Sequence, residues 1–176
     1  PIIGTQIIFN YKNELGLLPL IAKNEIGYKK IIELSSKSYL EQDNLSEPNC
    51  DFNDLLTNVE GIIILSGTIN GLIGKLFNKG KIKEAEEIYK LLKDQFKDNF
   101  YIEIQRHEDQ NEKSFENFNL GLSNKFNIPI MASHEVFYLN KSMHDAHEAL
   151  ICIGSKTYLN DKNRIKLSNQ HYFKSS

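Results

Sequence analysis

Three stretches of the chain carry side chains suited to chemistry. Met131-Ala-Ser-His-Glu-Val-Phe-Tyr138 sets His134 beside Glu135 just after an apolar run. His144-Asp-Ala-His-Glu148 adds two more imidazoles and two carboxylates, and Glu103-Ile-Gln-Arg-His107 ends in a further histidine. Imidazole and carboxylate together suit Zn²⁺, Mn²⁺ or Fe²⁺, and a position at a strand end would leave room for a bound water. A working site needs about three convergent protein ligands. His144 and His147 are three apart and can share a helix face, but Asp145 near a helix start serves equally as a cap or dipole partner. By spacing, structural roles outweigh an intact metal site, and His107 reads as a lone histidine after a strand.

Ser66-Gly-Thr-Ile-Asn-Gly-Leu-Ile-Gly-Lys75 lies where a phosphate loop belongs, between a strand and a helix. A phosphate loop of the Walker type needs two glycines with four residues between them, then Lys and a hydroxyl for Mg²⁺. Here Ile69 stands at the first glycine position and Leu76 at the hydroxyl, so the segment reads as a glycine-rich strand-to-helix turn. Lys75, Lys79, Lys81 and Lys83 are followed by Glu84, Glu86 and Glu87, a mixed-charge pattern typical of solvated helix ends.

The elements that must position these groups alternate along the chain. Apolar runs at residues 2–9 and 17–22 flank a polar turn. Asn24 is a candidate N-cap for a helix to about Leu40, with Tyr28, Ile31, Ile32 and Ser35 on one face. Residues 41–49, with Pro48, read as a loop, and 52–57 as a short helix. Residues 61–65 read as a buried strand. In residues 81–96, Ile82, Ala85, Ile88, Tyr89, Leu92 and Phe96 follow helical spacing. A strand at 100–104, a helix at 112–126, a buried strand at 128–132 and a helix at 143–153 complete the pattern. Phe115, Phe118, Leu122 and Phe126 face inward in the 112–126 helix. Alternation of this kind predicts an α/β fold with a parallel sheet and covering helices.

Length and composition narrow the function classes. A chain of 176 residues suits one domain with a sizeable core. Its net charge of −2 gives no overall basic footprint for nucleic acid, so most phosphate contacts of any DNA-binding parent would come from elsewhere. Cys50 and Cys152 form neither a disulfide framework nor a metal pair, and a reducing cytoplasm fits them. Cys152 lies in an apolar run and reads as a core residue. No apolar run reaches the roughly 18 residues needed to cross a bilayer. Asn44-Leu-Ser46 and Asn140-Lys-Ser142 match the glycosylation pattern, but nothing else suggests secretion. The chain opens inside an apolar run at Pro1-Ile-Ile-Gly4, without a methionine, which suggests a piece of a longer protein.

Taken in order, these segments resemble the polymerase and histidinol phosphatase (PHP) domain that opens the α subunit of bacterial DNA polymerase III. The matching pieces begin with Pro1-Ile-Ile-Gly4, Leu20-Ile-Ala-Lys-Asn-Glu-Ile-Gly-Tyr28 and Gly61-Ile-Ile-Ile-Leu-Ser-Gly67. They continue with Tyr101-Ile-Glu-Ile-Gln-Arg-His107, Ala132-Ser-His-Glu-Val-Phe-Tyr138 and Asp145-Ala-His-Glu-Ala-Leu-Ile-Cys-Ile-Gly154. Gln170-His-Tyr-Phe-Lys-Ser175 is similar to the family's entry into the polymerase palm. The resemblance implies an incomplete, distorted (βα)7 barrel, TIM-like, over residues 1–160 with its N-terminal part missing. Residues 161–176 would connect it towards the palm. The His-x-His motif of the first metal ligands would lie upstream.

The resemblance also implies where a metal site would be, and five positions depart from it. Gln6 stands for an acidic residue, Leu17 for a histidine and Thr68 for a cysteine, while Glu135 and Phe137 stand for a paired aspartate and histidine. The expectation is a degenerate site, with His134, Glu135 and His147 as possible residual ligands and no catalytic or cofactor-binding residue in this segment. The implied parent is a DNA-directed DNA polymerase with Mg²⁺ in its palm. Its implied partners are a proofreading exonuclease subunit, other replisome subunits and DNA. The alternative is an active metal-dependent phosphoesterase or 3′-5′ exonuclease. A free-standing barrel enzyme fits poorly with the ending at residues 170–175. A barrel lacking its first strands leaves an unpaired edge beside residues 2–9, which favours association. The isolated segment is therefore expected to be poorly soluble or oligomeric, and a sharp monomer peak in sedimentation with cooperative unfolding would contradict this.

Overall fold

The computed structural model describes residues 1–41 and 47–175. Part of the expected 41–49 loop, and the Asn44-Leu-Ser46 pattern, therefore fall outside the described residues. The chain separates into two compact units. The larger comprises Pro1–Ile104 and Lys113–Ala132, and the smaller Gln105–Glu112 and Ser133–Ser176.

In the larger unit β1 (Gly4–Tyr11) and β2 (Glu14–Ala22) form an antiparallel hairpin. Its turn residues Lys12 and Asn13 hold φ of 48° and 66°, the left-handed pair that a two-residue hairpin turn requires. Alternation then sorts the side chains: Ile7, Phe9, Leu18 and Leu20 are at most 5 % exposed, while Gln6, Ile8, Leu17 and Pro19 share the opposite, more open face. Around the hairpin lie β3 (Cys50–Asp51), β4 (Ile62–Leu65), β5 (Phe100–Ile104) and β6 (Ile130–Ala132). The six strands run in the order β3-β1-β2-β4-β5-β6, and the sheet does not close. β2 pairs antiparallel with both β1 and β4, so the sheet is mixed and not the parallel sheet that alternation predicts. The cause is the tight turn, which returns the chain beside itself before any helix intervenes. Beyond Phe9 and Asn10, which meet β3, β1 has no second strand beside it among the described residues.

Asn24 caps α1 (Glu25–Leu40) by accepting from the Gly27 amide at 3.0 Å. The buried face of α1 carries Gly27, Lys30, Ile31, Leu34 and Ser38, whereas Tyr28 and Ile32 are exposed, against the expected face. The helix is rotated because Gly27 meets the carbonyl of Gly61, where an added Cβ would lie only 1.8 Å from the oxygen. α2 (Phe52–Leu56) follows Asp51, whose carboxylate accepts from the Asn53 amide. Beyond β4 come α3 (Leu72–Asn78) and α4 (Ile82–Phe96), then α5 (Glu112–Phe126) after β5. In α4 the expected face is buried from Ala85 to Phe96, with Ile82 at its rim. Tyr89 Oη donates to Asn119 Oδ1 at 2.7 Å, tying α4 to α5 inside the core. β6 is a short edge strand and is not buried as predicted: Ile130 is exposed, and Ile128 beside it takes the core position.

Two helical glycines make opposite demands. A Cβ on Gly74 would sit 2.2 Å from the Ile69 carbonyl oxygen, while one on Gly121 meets nothing within 4 Å. Gly74→Ala is expected to destabilise by about 1–3 kcal/mol through overpacking against backbone. Gly121→Ala, which only gains helix propensity, is expected to stabilise by roughly 0.5–1 kcal/mol. Urea unfolding midpoints of the two variants check both signs.

Candidate functional site

The five positions at which the resemblance implies metal ligands divide between the two units. In the larger unit Gln6 pairs with Pro19 and Leu17 with Ile8, which places both on the open face of the hairpin. Thr68 follows β4 in a turn whose Gly71 approaches the Leu17 carbonyl to 3.0 Å from an added Cβ. The structure thus gathers Gln6, Leu17 and the Thr68 turn at one end of the open face. None of the three supplies an anionic or imidazole donor. The glycine-rich turn itself is structural: Lys75 Nζ donates to the Leu15 carbonyl at 2.8 Å, and Lys79 forks both oxygens of the nearly buried Glu14 at 2.7 and 2.8 Å. These lysines hold β2 against α3 and leave no cradle for phosphate.

The smaller unit holds every histidine of the chain. His107 and His171 are 2 % and 3 % exposed, and their rings stack at 4.1 Å between centroids with 7° between planes. His134 continues the pile on the other side of His107 at 4.6 Å. Phe137 lies 5.0 Å from His171 and 5.2 Å from His147, so the aromatic series runs on through α6 (His144–Ser155). Tyr138 closes it against His147 and His144. The sequence left His107 as a lone residue and gave His171 no role. Their meeting joins positions 64 apart, which neither spacing nor periodicity can signal.

Hydrogen bonds fix this pile to the chain around it. The His171 carbonyl accepts from Phe137 N at 2.9 Å, and the Phe173 amide donates to the Tyr138 carbonyl at 3.0 Å, a short parallel bridge between the two segments. The Glu135 amide donates to His107 Nε2 at 3.3 Å, and His134 Nε2 meets the Tyr172 carbonyl at 3.0 Å. The Glu135 carboxylate is half exposed, 3.8 Å from His171 Nδ1. His171 Nε2 and His147 Nδ1 are buried without a hydrogen-bond partner. On α6 the Glu148 carboxylate pairs with Arg164, which holds it below its ordinary range, and Asp145 occupies the first helical turn.

Stacked imidazoles present faces to each other, whereas metal ligation needs ring nitrogens pointing at one shared centre. Among the described residues no three His, Cys, Asp or Glu side chains stand so as to hold a metal ion. His134, Glu135 and His147 are brought into one unit, yet as members of an aromatic pile with one carboxylate at its rim. Of the five implied ligand positions only Glu135 carries an anionic donor, whereas a multinuclear centre needs several to offset the cations' mutual repulsion.

Comparison with known proteins fits this geometry to a family. The family model described as the PHP domain matches residues 1–107. DNA polymerase III subunit alpha of Rickettsia bellii is 37 % identical over 173 residues, covering 97 % of this chain and 15 % of that protein. The subunit of the same name from Caulobacter vibrioides is 33 % identical over 89 % of this chain and 14 % of its own length. That of Vibrio cholerae is 32 % identical over 99 % of this chain and 15 % of its own. The chain thus spans about 15 % of the length of the relatives it matches.

Burial, followed by the neighbouring His171 and His134, pulls the His107 imidazole down to about 4. Its neutral form also accepts from the Glu135 amide, which a protonated Nε2 could not do. A histidine held below its ordinary value of about 6.5 contributes fully above that pH and loses its contribution as pH falls towards 4. The smaller unit is expected to weaken by on the order of 3 kcal/mol across that window. Amide exchange at Phe137 and Phe173 against pH reads this, and His107→Phe should flatten the profile.

Proposed function

The chain belongs to the PHP domain family, and on that premise we propose that it serves a DNA polymerase III alpha-type protein as a structural and docking domain with a degenerate metal site. The observation that carries the reading is the donor chemistry at the five departing positions. Leu17 and Phe137 carry only hydrocarbon, Gln6 and Thr68 are neutral, and Glu135 faces a stack of imidazoles whose planes are turned to each other. Such a set favours packing over the polarisation of a water or phosphate, which a phosphoesterase would require.

In this reading residues 1–160 form the barrel portion and residues 161–176 lead towards the palm of the longer protein. Template-directed nucleotidyl transfer is the work of acidic Mg²⁺ ligands in that palm, so this segment has no polymerase activity of its own. The domain stabilises the polymerase and offers a face for a proofreading exonuclease subunit within the cytoplasmic replisome, and DNA is reached through the parent. No helix of the described residues is long and apolar enough to cross a membrane.

Metal analysis of the full-length protein tests the reading. The expected result is no near-stoichiometric Zn²⁺ or Mn²⁺, no change in metal content on Glu135→Ala, and no Mn²⁺-dependent release of nucleotides from a DNA 3′ end. Bound metal lost on Glu135→Ala, with 3′ release abolished by His134→Ala, would establish an active phosphoesterase in its place.

A further inference from the structure

α6 is built with its polarity reversed. Its buried positions are Glu148 and Cys152, and Glu148 is neutralised there by Arg164 and accepts from the Leu167 amide at 3.4 Å. The opposite side carries Met143, Ala146, Leu150 and Ile153, all exposed, with Leu150 at 63 % and Ile153 at 75 %. A helix at a protein surface ordinarily turns its apolar stripe inward and its charges out. Burying an ion pair while exposing Leu and Ile is costly, unless the outward side is covered in the working protein.

The stripe has the shape of a helix-packing seam. Positions 143, 146, 150 and 153 follow the three-four-three spacing by which one helix packs against another. Ala146 within it is small, and an added Cβ on Gly154 beside it would meet nothing within 4 Å, so a partner backbone can approach closely. α4 of the larger unit is built the other way, with Ala85, Ile88, Tyr89 and Leu92 wholly inside.

Two findings point to the occupant. The PHP family match ends at residue 107, before α6 begins. The likeness to the alpha subunits covers 97 % of the chain and so must include α6, and it spans only 15 % of those proteins. The exposed seam thus lies in the part shared with the long polymerases and outside the part matched by the PHP family at large.

We propose that the outward stripe of α6 is the seat for a helix of the polypeptide that follows residue 176 in the longer protein. The proposal rests on the polymerase reading above. The partner it requires is an apolar helix face, covalently continuous with this chain and therefore present at high effective concentration.

The test is Leu150→Glu combined with Ile153→Glu, made in the full-length protein and in the 176-residue chain. Thermal unfolding of the domain is expected to fall by roughly 4–8 °C in the long protein and to stay unchanged in the short one. Leu40→Glu, on the exposed end of α1, is the control and leaves both unchanged. An equal loss in both proteins would assign the stripe to the smaller unit's own packing and overturn the proposal. No loss in either would leave the stripe open to solvent and overturn it equally. A short chain that sediments as a dimer, dissociated by the substitutions while the long protein is indifferent, would name a second copy as occupant and also overturn it. Should the substituted long protein fail to fold, amide exchange of α6 in the unsubstituted proteins decides: slower exchange in the long one supports the proposal, and equal exchange overturns it. Polymerase activity assayed on the same long protein separates the two readings. An inactive long protein that still shows the context-dependent loss keeps the docking seam and discards the polymerase role.

Discussion

The larger unit depends on the register that the Lys12-Asn13 turn imposes on β1 and β2. With two residues in the turn, Ile7 must face Leu18 and Phe9 must face Gly16 across the ladder. A slip of one residue would move Phe9, Leu18 and Leu20 out of the core together, because side chains alternate with period two. The same register delivers Gln6 and Leu17 to the open face. Gly16 completes the arrangement, since a Cβ there would collide with the Leu72 backbone at the start of α3.

The smaller unit is organised differently, by aromatic stacking with little aliphatic core. Among the described residues its buried side chains are His107, Tyr138, Glu148, Cys152 and His171, each with a polar or sulfur atom and none aliphatic. The His107 imidazole packs here as the neutral base, since burial disfavours its charged form and its Nε2 accepts from the Glu135 amide. The ring faces of the three histidines are taken up by packing against one another. Glu135 lies at the rim, its carboxylate half exposed and 3.8 Å from His171 Nδ1.

Much of this was legible in the sequence where the signal is local. The Asn24 cap, the 3.6-residue spacing of α4 and the short β4 run each follow from neighbours within a turn or two of chain. The α/β class and the likeness to the polymerase family follow from such pieces in order. Features fixed by distant partners were not legible. The inward face of α1 is chosen by its collision limit at Gly61, which sequence spacing cannot display. The mixed sheet turns on two residues adopting positive φ at Lys12 and Asn13, neither of them glycine. His107 and His171 meet across 64 positions, and the exposure of β6 reflects its place at the sheet edge.

The departures at the candidate site have an electrostatic logic of their own. A metal centre lined by several carboxylates is stable only while cations occupy it, because the anions otherwise repel one another and lose hydration. Gln6 and Thr68 keep hydrogen-bonding capacity without charge, and Leu17 and Phe137 remove even that. Neutral or apolar side chains at such positions need no cation to offset them. Phe137 instead fills the gap between His171 and His147 with a ring that both can stack against.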